Sequence, residues 1–90
     1  MSKSENLLIH ALAIHVEKPG MVRARVTVRL GEPTPGNHVR FEGTDRVMRK
    51  LEIVDLRQSN RLSMITLSGS EEDLQHLVGG TYLYGAEGQS

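Results

Sequence analysis

Residues 21–30 alternate without a break: Val22, Ala24, Val26, Val28 and Leu30 share one parity, and Arg23, Arg25, Thr27 and Arg29 share the other. Successive side chains of an extended chain point to opposite faces, so the pattern predicts a strand with one face buried and a cationic face in water. Breakers bound it on both sides. In Lys18-Pro19-Gly20 the proline presets one backbone angle and the glycine accepts a positive φ, which marks a turn. Residues 31–37 (Gly-Glu-Pro-Thr-Pro-Gly-Asn) read as a loop, because two prolines and two glycines deny both ladder bonds and helix continuation.

The rest of the chain follows the same grammar. Residues 7–16 are apolar on both parities, which suits a strand buried on both sides, with a buried helix as the competing reading. Residues 38–43 place Val39 and Phe41 inward and His38, Arg40 and Glu42 outward. Residues 44–57 are ambiguous: Thr44 suits a helix cap ahead of Val47, Met48, Leu51 and Val54. Val47, Leu51 and Ile53 also share a strand parity, on which Arg49 is out of pattern. The β-prone run Leu51-Glu52-Ile53-Val54 favours the strand. A turn at Ser59-Asn60 and a strand over 61–68 follow.

One helix is expected, over residues 70–78. Ser70 caps it, Glu71, Glu72 and Asp73 complement its dipole, Leu74, Leu77 and Val78 form its buried side, and Gly79-Gly80 ends it. A last strand covers 81–84. The expected fold is therefore mostly β: a small six-stranded barrel, or barrel-like sandwich, with one short helix. The expected division is a flexible N-terminus at 1–6, a single domain at 7–84 and a flexible tail at 85–90.

Composition narrows the function classes. Hydrophobic residues are 38% of the chain and charged residues 24%, a globular mixture able to build a core. Without cysteine there are no disulfides, thiolate chemistry or zinc ribbons. The apolar run at 7–16 is too short to span a bilayer and contains His10 and His15, so a cytoplasmic chain without a membrane partner is expected. Neither is a catalytic centre expected. His10, His15, His38 and His76 have no chelating spacing; His10 and His15, five apart, face opposite sides of a strand, and His76 reads as a solvated helix residue. Glu71, Glu72 and Asp73 are consecutive and cannot converge on one cleft, and Ser63, Ser68 and Ser70 lack a nucleophile elbow. No catalytic residue, metal or cofactor is predicted.

The formal charge is zero but unevenly placed. Residues 18–61 carry ten basic and five acidic side chains, and the flanks are acidic in compensation. Arg23, Arg25 and Arg29, about 7 Å apart or more along one strand face, match a polyanion backbone, with Arg40 and Arg49 as further candidates. These five are the candidate nucleic-acid contacts. The competing expectation is a solvated face whose arginines pair with Glu42, Glu52 or Asp55 on neighbouring strands. The expected function is a small non-catalytic binding module that contacts RNA or a ribonucleoprotein through this basic strand face. The alternative is a protein-interaction or self-associating module that uses an open sheet edge or an apolar patch. It is slightly favoured by the zero net charge and by there being only three aromatic residues, Phe41, Tyr82 and Tyr84, which leaves little for base stacking.

Two stretches resemble a known family. Residues 21–31 followed by Pro35-Gly36-Asn37-His38-Val39-Arg40-Phe41, and Ile65-Thr66-Leu67-Ser68-Gly69 followed by the helix and Gly79-Gly80-Thr81-Tyr82-Leu83, are similar to the second, β-barrel domain of the translation GTPases, the group that includes elongation factor Tu. The resemblance implies a six-stranded closed barrel that packs on a GTP-binding domain and touches ribosomal RNA or an acylated tRNA end. It carries no GTP hydrolysis here, because the chain has no Walker loop.

Overall fold

The computed structural model describes residues 7–58 and 62–86. Six strands and one helix run in the order β1 (Leu8–Lys18), β2 (Met21–Leu30), β3 (His38–Glu42), β4 (Met48–Gln58), β5 (Ser63–Ser68), α1 (Glu71–Gln75) and β6 (Tyr82–Ala86). The strands close into a barrel in the spatial order β1-β2-β5-β4-β3-β6, every neighbouring pair antiparallel. Closure depends on β6, which pairs with β1 on one side and β3 on the other. Each strand has a neighbour on both sides, so the fold contains no edge strand of the kind that an open-edge route to self-association would use.

Two turns share one chemistry. Pro19-Gly20 and Pro35-Gly36 place proline second and glycine third, with glycine φ of 84° and 98°, the arrangement of a type II turn. The second is closed by Asn37 N donating to Thr34 O at 3.1 Å, and Gly36 N donates to Ile53 O at 2.7 Å, tying the loop to β4.

Ile9, Ala11, Val22, Ala24, Val26, Val39, Phe41, Leu51, Ile53, Ile65, Leu67 and Leu83 fill the barrel, capped at one end by Leu74 and Leu77. β2 alternates as its sequence requires as far as Val28; Leu30, expected on the buried face, is exposed, because the bulge at Arg29 shifts the phase before it. β1 does not alternate, and it is not buried on both sides: Leu12 and Val16 are exposed. Ala11 pairs with Val26 and Ala13 with Arg25, so Leu12 is the extra residue of a β-bulge. The inward set runs Leu7, Ile9, Ala11 before the bulge and continues at Ile14 after it. The two apolar parities are therefore one inward face with a phase shift. The same shift overturns the opposition of His10 and His15: their β2 partners, Thr27 and Arg23, lie on one face, so both histidines point outward.

The ambiguous segment is a strand preceded by a turn. Gly43 N donates to Val47 O and Arg46 N to Gly43 O, both at 2.9 Å, Arg46 takes φ 66°, and β4 starts at Met48. Thr44 caps no helix. The last strand extends two residues further than expected, since Gly85 and Ala86 pair with Val39 and His38. The expected turn at Ser59-Asn60, Arg61, and the terminal segments 1–6 and 87–90 lie outside the described residues.

The helix is shorter than residues 70–78. Ser70 is its N-cap, its side chain accepting from Asp73 N at 3.1 Å, and His76 is its C-cap. His76 N and Leu77 N then donate to the carbonyls three residues back, a tightening that ends the helix and turns Leu77 into the core. Val78 is left exposed, and Gly80, not Gly79, takes the positive φ, in the turn that leads to β6. Replacing Ser70 by alanine is expected to cost about 1 kcal/mol, since a first-turn amide loses its acceptor. An unchanged urea midpoint would contradict this cap.

Candidate nucleic-acid interface

The outer surface sorts the basic residues into three groups. Arg23, Arg25 and Arg29 are exposed on β2, although Arg29 sits in a bulge, since Leu8 pairs with Leu30 and Ile9 with Val28. Their expected acidic partners are not beside them. β2 lies between β1 and β5, which separates it from Glu42 on β3 and Glu52 and Asp55 on β4. Arg23 instead pairs with Glu17 of β1 at 2.5 Å, while Arg25 and Arg29 make no ion pair with a described residue.

Arg25 has a neighbour that the sequence did not reveal. Met64 of β5 is the cross-strand partner of both Arg25 on β2 and Arg57 on β4. The two arginines thus flank Met64 in one row, their backbones about 10 Å apart by strand spacing. They border a shallow recess of about 510 Å³ with Gln58, Leu62, Ser63 and Met64. Arg57 reaches this row because Ile53 pairs with Leu67 and Asp55 with Thr66, which makes Val54 the extra residue of a bulge and resets the parity of β4. Its one acid among the described residues is Asp55, at 3.6 Å and well exposed, a pair worth little in water.

Arg40 stands apart, on β3, with β1 and β6 between it and β2. Arg49 stands apart in a different sense. Its parity points inward at the end of the barrel, and its guanidinium meets Asp45 at 2.6 and 2.9 Å and Asp73 at 3.1 Å. Its side chain is 11% exposed, which removes it from an open anion-binding face. Asp73, expected to complement the helix dipole, thus binds Arg49 with its carboxylate. His76 joins the same cluster through a 2.8 Å hydrogen bond between its Nδ1 and Thr44 Oγ1, so it is a half-buried bridge from α1 to the β3–β4 turn, not a solvated helix residue.

This cluster has a pH signature. Hydrogen bonding from Arg49 holds the Asp45 carboxyl well below its usual 3.8, helped by the Val47 amide and opposed by desolvation. The unfolded chain therefore takes up the proton first as pH falls. The stabilisation is whole above the ordinary carboxylate range and is lost as pH drops through and below it. Urea midpoints followed from about pH 5 to pH 2 should fall more steeply for the parent than for Arg49→Met. Parallel profiles would show that the pair contributes nothing.

Two further features mark the surface. An apolar groove of about 600 Å³ runs between the β1–β2 hairpin and α1, lined by Ile14, Val16, Val22, Leu77 and Val78 with Lys18 and Glu71 at its rim. On β6, Tyr82 and Tyr84 are both exposed, and Tyr82 stacks on His10 with centroids 4.3 Å apart and planes 6° from parallel. Among the described residues no group of His, Asp and Glu is placed to hold a metal ion. No helix among them is long and apolar enough to cross a membrane.

No protein-family model matches the chain, and no curated protein or solved structure matches it either.

Proposed function

We propose that this domain is a non-catalytic binding module that contacts RNA through the outer face of β2, β5 and β4. The observation that carries the reading is the row Arg25-Met64-Arg57, two exposed guanidinium groups flanking one recess. Arginine offers phosphate a planar, bidentate fork and is weakly hydrated, so two of them bordering a concave surface suit a sugar-phosphate backbone. Arg29 extends the positive character along β2. Arg23, paired with Glu17, and Arg49, held by two aspartates, contribute least. The resemblance of residues 21–31, 35–41 and 65–83 to the translation-GTPase barrel supports the same class of partner, as free RNA or within a ribonucleoprotein.

The test is affinity for a short single-stranded RNA across a salt series. Arg25→Gln with Arg57→Gln should keep the fold, because neither side chain belongs to the core, and should weaken binding. The slope of log affinity against log salt should shrink by roughly 0.7 for each phosphate contact removed. Equal slopes for parent and variant would defeat the reading.

The apolar groove beside α1 supports a second reading, a protein partner. Val16 and Val78 are exposed along one groove that Ile14, Val22 and Leu77 also line, and contiguous apolar surface of this kind marks protein-interaction sites. Under that reading the parent binds RNA negligibly near physiological salt, and Val16→Asp changes sedimentation or partner capture while Arg25→Gln with Arg57→Gln does not.

A further inference from the structure

We infer that the domain carries a base-stacking platform for single-stranded RNA on the face formed by β1, β6, β3 and β4, with Tyr82 and Tyr84 receiving bases and Arg40 and Lys50 receiving phosphate. The inference rests on the RNA reading above and adds the form of RNA it would take.

The geometry starts from β6. Its burial alternates, with Leu83 and Gly85 inward and Tyr82 and Tyr84 outward, 40% and 45% exposed. Two tyrosines two residues apart on a strand stand about 7 Å from each other, a separation at which two unstacked bases can each cover one ring. Tyr82 is already held flat by its stack on His10, so its outer side is a fixed aromatic surface with little rotamer freedom left to lose. His10 in turn pairs with Thr27, which lies between Arg25 and Arg29 on β2. The platform is thereby continuous with the basic strand.

The other side of the platform is cationic in an unusual way. Tyr84 pairs with Arg40, and Arg40 pairs with Lys50, so the row across β6, β3 and β4 reads Tyr-Arg-Lys. Two like charges directly opposite each other on antiparallel strands repel, and neither has an ion pair with a described residue. An anion bridging them converts the repulsion into binding. Glu42 and Glu52, the neighbours on the same outer parity of β3 and β4, border the pair and confine the anion to its row.

A phosphate beside a row of exposed rings selects a single strand over a duplex. Base faces in an A-form helix are already stacked on each other and cannot reach a tyrosine, whereas a single strand can splay its bases. The chain contains two tyrosines and no tryptophan, so tyrosine emission of the unmodified protein reports on these two residues alone.

The experiment titrates the full chain with a twelve-nucleotide oligouridine and with an RNA duplex of equal length, following tyrosine emission and anisotropy. Quenching by the oligouridine and not by the duplex is expected. Tyr82→Leu and Tyr84→Leu should each weaken oligouridine binding by about 5- to 150-fold with the salt slope unchanged, and the Phe replacements should retain it. Arg40→Gln with Lys50→Gln should lower the slope. Binding without quenching, or duplex binding equal to that of the single strand, overturns the platform while the Arg25–Arg57 reading stands. Absence of binding to either RNA overturns both.

Discussion

Replacing Phe41 with alanine is expected to cost about 3–5 kcal/mol, the largest effect of any single substitution considered for this fold. Phe41 is the chain's one phenylalanine and is fully buried. The remainder of the barrel interior is aliphatic, and two of its lining residues, Ala11 and Ala24, are small. A barrel interior fills by matching large side chains to small ones, so one ring occupies space that no neighbour can take over. Relaxation is hindered as well. β3 is hydrogen-bonded to β4 on one side and β6 on the other, and moving it inward would break both ladders. A domain of this length has a stability on the order of 5–13 kcal/mol, so the variant gives up a large part of it. Its melting temperature should fall by roughly 4–8 °C for each kcal/mol lost. A loss under about 1 kcal/mol would mean that the interior repacks around the gap, against the close packing described above.

How much of this was legible depends on whether alternation ran unbroken. β2 has four inward residues in strict parity, Val22, Ala24, Val26 and Val28, and its place and facing were readable at sight up to the bulge at Arg29, beyond which Leu30 turns out to be exposed; β3, β5 and the Pro-Gly turns were equally plain in position. β1 and β4 were not, because a bulge inserts one residue and exchanges the faces beyond it. In β1 this produced the false impression of two buried faces and put His15 on the wrong side. In β4 it hid Arg57, whose outward position beside Arg25 follows only once Val54 is known to be the extra residue. Arg49 announced itself by breaking parity, but its partners were out of reach of sequence reasoning: Asp45 is in the adjoining turn and Asp73 on a helix that only the closed barrel brings near. The helix was over-extended because Leu77 fits a helical stripe and a core plug equally well.

The aromatic residues carry the same lesson for the site. Counting three of them argued against base stacking, yet a count says nothing of placement. One is spent in the core. The other two project from one short strand, next to a histidine thirteen residues or more from any of the basic residues of β2 in sequence and directly across from Thr27 in space. Barrel closure, which pairs β6 with β1 and β3, is what assembles that face.

Closure itself hangs on a tight approach, and Gly79→Ala should expose it. A Cβ at position 79 would lie 2.8 Å from Leu12 O, a backbone atom in the β1 bulge that no rotamer change can move aside. Two hydrogen bonds pin the segment there: Gly80 N donates to Ala11 O at 2.7 Å, and Ala11 N donates to Thr81 O at 2.9 Å. The methyl therefore forces either the bulge or the start of β6 to shift, at a cost of about 1–3 kcal/mol, as for other overpacked sites. Position 80 is the control. A Cβ there meets nothing within 4 Å, and its φ of 96° makes any penalty one of backbone conformation alone. The two variants should differ in what else they disturb. Gly79→Ala should displace Tyr82 against His10, altering tyrosine emission in the folded protein, because the strained contacts run directly into the His10–Tyr82 pair. Gly80→Ala should lower stability with the emission of the folded state unchanged. Parent-like stability and emission for Gly79→Ala would show that the β1 bulge yields freely and that another contact sets the register of β6.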